Sequence, residues 1–93
     1  MAEINLNDKP LSLKFTLGVI EDFCEDLGVD SGWEQEINKS PKNLRTFIYH
    51  MVKHNGVDKS ELKDLEMSEL VAATQFIEKQ VGGAPGKPKK AKQ

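Results

Sequence analysis

Two periodicities divide the chain. Ile4 and Leu6 alternate with polar neighbours, Asn7-Asp8-Lys9-Pro10 supplies turn chemistry, and Leu11, Leu13 and Phe15 resume the alternation. A period of two places each apolar set on one face of a strand, so residues 1–15 predict a β-hairpin resting on whatever follows. Thr16 then suits an N-cap, and a first helix runs to about Leu27 with Gly28 ending it. Leu17, Ile20, Phe23, Cys24 and Leu27 fall on one stripe of that helix, with Glu21, Asp22, Glu25 and Asp26 on the opposite face.

The helical period continues. Ser31-Gly32-Trp33-Glu34 has the form of a capping box and predicts a short second helix ending near Asn38. Ser40-Pro41 opens a third with a capping hydroxyl and a proline at the first helical position. Leu44, Phe47, Ile48, Met51 and Val52 form its buried face, Lys53 and His54 sit at its negative end, and Asn55-Gly56 stops it. Asp58 and Glu61 cap a short turn carrying Leu62 and Leu65. Ser68 caps a last helix to Val81 with Leu70, Val71, Thr74, Ile77 and Val81 inward. Gly82-Gly83 breaks it, and residues 82–93 have no large apolar side chain to bury. The expectation is a mainly α (α+β) fold. One domain over residues 1–81 carries an N-terminal β-hairpin (1–15) and a compact bundle of about four helices, followed by a disordered Gly/Pro/Lys tail over residues 82–93.

Composition narrows the function. With 93 residues and one cysteine, Cys24, there is no internal disulfide and no multi-cysteine zinc site. No apolar run reaches the ~20 residues that span a bilayer, and no signal-peptide core follows Met1, which predicts a soluble product of a reducing cytoplasm. The net charge of −2 is a sum of unlike parts: residues 82–93 carry four lysines and no acid, and the remainder has nine basic against fifteen acidic groups. An acidic body argues against phosphate-backbone binding, and four lysines on a tail bind nucleic acid weakly and without sequence choice.

The residues that resemble chemistry do not complete it. His50 and His54 have the spacing of a zinc-protease helix, but Met51 stands where that motif needs its glutamate. Gly82 to Lys87 has the wrong glycine spacing for a phosphate loop, and Pro88 replaces the hydroxyl residue. Cys24 lies on an apolar stripe, the setting of an inert buried thiol. No catalytic constellation, cofactor or metal site is expected, and the chain is read as a non-enzyme. Two features could bind a partner. Glu21, Asp22, Glu25 and Asp26 form like-charge pairs at i,i+4, either a solvated face or a docking face for a lysine- or arginine-rich partner. Trp33, Tyr49 and Phe76 fall outside the inner stripes and either pack on neighbouring helices or form a patch for a partner helix or a second copy of the chain.

Leu13-Lys14-Phe15-Thr16-Leu17-Gly18-Val19-Ile20-Glu21-Asp22-Phe23, a short apolar strand running through Phe-Thr-Leu-Gly into an acidic amphipathic helix, resembles the tail assembly chaperones of long-tailed bacteriophages. Thr46-Phe47-Ile48-Tyr49-His50-Met51-Val52-Lys53-His54 is similar to that family's central helix. The resemblance covers about residues 11–81 and is most specific over residues 15–23. It implies a non-enzymatic helical protein of the infected bacterial cytoplasm, absent from the finished virion. Such a protein coats the aggregation-prone tape measure protein before tail tube subunits assemble round it, and family members often self-associate. Many members are made in two lengths by ribosomal frameshifting, and Pro88-Lys89-Lys90 can be encoded by a slippery run of adenines. The competing expectation is a small acidic cytoplasmic regulator or adaptor, antitoxin-like, that neutralises a basic protein.

Overall fold

The computed structural model describes residues 2–82. Strand β1 (Glu3–Leu6) and strand β2 (Lys9–Ser12) pair antiparallel with Ile4 opposite Leu11 and Leu6 opposite Lys9. The turn is Asn7-Asp8 alone, narrower than the four residues its composition suggests. Both residues have positive φ, 51° and 68°, the left-handed pair that matches the twist of a two-residue hairpin. Lys9 and Pro10 therefore belong to β2. Leu6 and Lys9 close the turn as the hydrogen-bonded pair, so Asn5 and Pro10 form a non-hydrogen-bonded one and the missing proline N–H is not needed by β1. The amides that point away from the hairpin find partners elsewhere. Asn5 N donates to Glu69 Oε1 (2.8 Å), Ser12 N to Asn55 Oδ1 (3.3 Å) and Lys14 N to the Met51 carbonyl (3.0 Å).

Helix α1 (Leu17–Leu27) begins where the hydroxyl of Thr16 accepts from Val19 N and ends at Gly28, whose φ of 71° releases the chain. Helix α2 (Trp33–Ile37) starts differently from expectation. Gly32 occupies the N-cap position in a left-handed conformation (φ 75°), and no side chain caps the helix; Ser31 does not form the box its sequence suggests. A capping hydroxyl works from extended backbone, which this turn denies. Helix α3 (Pro41–Val52) keeps its expected start, with Ser40 Oγ accepting from Asn43 N at 3.1 Å, and passes into a 3-10 turn (Lys53–Asn55) stopped by Gly56. A second 3-10 turn (Lys59–Asp64) carries the reciprocal Asp58/Glu61 capping box and buries Leu62. Helix α4 (Met67–Gly82) begins one residue before Ser68, with the Glu66 carbonyl accepting from Glu69 and Leu70. The tail expected beyond it, with its frameshift codons, lies outside the described residues from 83 onward.

The mainly helical architecture with an N-terminal hairpin is thus present. Its core joins Ile4, Leu6, Leu11 and Leu13 of the hairpin region to Val19 and Phe23 of α1, Phe47, Ile48, Met51 and Val52 of α3, and Ala73 and Ile77 of α4. Phe47 is fully buried, edge-on to Phe23 (5.0 Å between centroids) and stacked on Trp33 (5.7 Å, 6° between planes). Phe15 touches Trp33, Phe47 and Phe76 at 6.0, 5.9 and 6.3 Å. This aromatic node ties the strand-to-helix junction to α2, α3 and α4, each ring pair adding about 0.5–1.5 kcal/mol beyond area burial.

Two inner faces are rotated from the sequence reading. Leu17 was expected inward and is 70 % exposed; Val19, two residues or about 200° further round the helix, is buried instead. Val71, also expected inward, is 49 % exposed, and Ala73 is buried in its place. In α4 the reason is close approach, because the helix packs across β1 and a methyl side chain lets the backbones come together. In α1 the stripe is wider than the core, so one edge of it must face outward.

Candidate functional site

The outward edge of α1 borders an apolar cleft. Leu17, Ile20 and Cys24 form one wall, and Val29 and Trp33 the other. Cys24 is half-buried on this wall rather than sealed in the core. Beyond Trp33 a smaller cleft of about 240 Å³ continues between α2 and α4, floored by Ile37, Ile77 and Val81. Trp33 is the ridge between the two. One face of its indole stacks on Phe47, and its outer edge remains half-exposed, so the ridge is rigid. The rim is uniformly anionic: Glu21, Glu25 and Asp30 on one side of Trp33, Glu34 beside it and Glu78 beyond. Among the described residues no lysine, arginine or histidine lines either part.

The four acids of α1 divide by face. Asp22 and Asp26 turn toward α3 and are satisfied internally. Lys53 Nζ donates to Asp22 Oδ2 at 2.5 Å, and His50 Nε2 lies 2.7 Å from Asp26 Oδ2, with Lys59 Nζ 3.8 Å from the same oxygen. His50 is only 7 % exposed. Its Nδ1 lies 3.2 Å from Lys53 Nζ, and an ammonium can only donate, so Nδ1 accepts and the ring hydrogen belongs on Nε2, facing Asp26. The Lys53 hydrogen bond holds the Asp22 carboxyl below the usual carboxylate range, against a smaller opposing effect of burial. These two aspartates therefore serve the fold. Glu21 and Glu25 are exposed and make no salt bridge among the described residues. Their mutual repulsion costs about 0.2–0.5 kcal/mol, and a cationic ligand would relieve it.

The three off-stripe aromatics do not form one patch. Trp33 is central to the cleft. Phe76 lines neither part of the cleft; it packs on Phe15 and borders Ala2, Ala72 and Lys79. Tyr49 lies edge-on to His50 with Lys59 Nζ 5.9 Å from its ring, within the α1–α3 polar network. Asp30 and Glu34 belong to the run of acids between Lys14 and Lys39 that the sequence marks as a surface for a basic partner, whereas Glu78 escapes sequence reasoning, since only the fold brings α4 beside Trp33 and Glu34.

The two histidines do not converge, His50 facing Asp26 and His54 facing Ser12 Oγ at 2.9 Å. Among the described residues no helix is long and apolar enough to cross a membrane. What the cleft offers is a greasy floor with an anionic border, the complement of an amphipathic helix whose apolar stripe is flanked by lysine or arginine. No protein-family model, curated protein or solved structure matches the chain, so the role of the cleft is read from its chemistry.

Proposed function

We propose that the chain is a phage tail assembly chaperone. Acting in the cytoplasm of the infected host, it covers an apolar helical segment of the tape measure protein until the tail tube forms around it, with no covalent step. The observation that carries this reading is the apolar cleft on either side of Trp33 with five carboxylates and, among the described residues, no cation on its rim. A helix laid in it exchanges exposed apolar surface for contact with Leu17, Ile20, Trp33 and Ile77, at about 25 cal/mol per Å², while its flanking cations meet Glu21, Glu25 and Glu34. The segment that resembles the chaperone family supports the same reading. Within it Phe15, Thr16, Val19 and Phe23 build the fold, and Leu17, Ile20 and Glu21 line the cleft. A regulator that only neutralised a basic partner would have no use for the apolar floor.

Co-expression of a tape measure fragment with this chain tests the proposal. The wild-type chain should keep the fragment soluble, and the double variant Glu21→Lys/Glu25→Lys, which retains the core, should not. A fragment that is equally soluble with the wild type, with the charge-reversed variant and with neither sinks the reading.

A further inference from the structure

A second cleft, of about 570 Å³, opens between the first half of α3 and the 3-10 turn at residues 59–64, and its charge is opposite. Its floor is apolar, made by Ile48, Leu62 and Leu65. Its border is Lys42, Arg45 and Lys63, with no carboxylate among the lining residues. None of these three cations makes a salt bridge among the described residues. The Nε of Arg45 is buried and has no hydrogen-bond partner among the described residues. An orphaned donor in a folded protein calls for an explanation, and a guanidinium is best satisfied by a carboxylate. The positive end of α3 lies at the same place, since Pro41 also lines the cleft.

We infer that this cleft docks an acidic amphipathic segment of a partner protein, a carboxylate meeting Arg45 while a neighbouring apolar side chain settles on the half-buried Leu65 and Leu70. Nucleic acid fits the site poorly, because three cations make a weak phosphate track and no aromatic ring lines the cleft to stack a base. The inference stands independently of the tape measure reading.

A fluorescein-labelled helical peptide with leucines at i, i+3, i+4 and i+7 and glutamates between them is the probe, followed by anisotropy on the full chain. Binding should weaken about tenfold or more in Arg45→Ala, the loss expected for one charge-assisted hydrogen bond. Lys63→Glu, at an exposed position that the fold does not need, should weaken it similarly. The lysine counterpart of the peptide should not compete. The inference is overturned if both variants bind as the wild type does, if the lysine peptide displaces the probe, or if the probe does not bind at millimolar concentration. Sedimentation velocity separates the remaining occupant. A wild-type dimer that both variants dissociate would place the acidic face of a second copy in the cleft and overturn the assignment to a different protein.

Discussion

Leu17 offers the sharpest separation of binding from folding. Its side chain is 70 % exposed, so Leu17→Ser removes little that the folded monomer uses, and stability should change by no more than about 0.5 kcal/mol. If the cleft covers an apolar helix, that exposed fraction is what binding buries. Complete burial of a leucine is worth about 1.5–3 kcal/mol, so the exposed seven-tenths corresponds to about 1–2 kcal/mol. At tenfold per 1.4 kcal/mol, Kd should rise about 5- to 30-fold. The assay is built into the molecule, because Trp33 is its only tryptophan and forms the ridge of the cleft. Titrating a basic amphipathic peptide from the tape measure protein should change the Trp33 emission, and the midpoint gives Kd directly. A Leu17→Ser chain with an unchanged melting curve and a Kd within twofold of wild type would refute the placement of the client on this wall of the cleft.

Three other outcomes follow from the packing. Phe47→Ala should cost about 3–5 kcal/mol, enough to abolish or strongly lower a cooperative urea transition; a loss below about 1 kcal/mol would contradict the aromatic node. Asp8→Gly relieves a left-handed backbone at φ 68° and should raise stability by up to about 1 kcal/mol in thermal melts; a lower Tm would mean that the Asp8 side chain holds the turn. Asp22 has its carboxyl pKa lowered by Lys53, so its contribution is complete above the unfolded value near 3.9 and is lost as pH falls through the folded one. The Tm gap between wild type and Asp22→Asn should accordingly be present at pH 7 and close below about pH 4; a gap that widens in acid would reverse the sign of that argument.

The parts of the fold legible in the sequence are those fixed by neighbours in the chain. Thr16 and Gly28 bracket α1, Ser40-Pro41 opens α3, and Asp58 with Glu61 caps the turn before Leu62, each by contacts within three or four residues. What periodicity leaves undecided is which side of a wide apolar stripe meets the core. Leu17 and Val19 compete for one helix, Val71 and Ala73 for another, and the outcome depends on segments remote in sequence. The burial of His50 likewise depends on Asp26, twenty-four positions away. For the candidate site, the sequence singles out Trp33, Glu21 and Glu25 through misplaced bulk and like charge. It also groups Asp22, Asp26, Tyr49 and Phe76 with them, because spacing along a helix does not reveal which acid already has a lysine beside it.

A two-stranded sheet normally invites a third strand, and this one has no seat for it. Pro10 brings no donor to the outer side of β2, the Ser12 and Lys14 amides are spoken for by Asn55 and Met51, and Glu69 occupies the middle of the other border through Asn5. Strand addition, whether by a client or by another copy growing into a fibre, finds no continuous template. Recognition is left to side chains on the helices, which suits a molecule whose work would be done among sticky, half-assembled polypeptides.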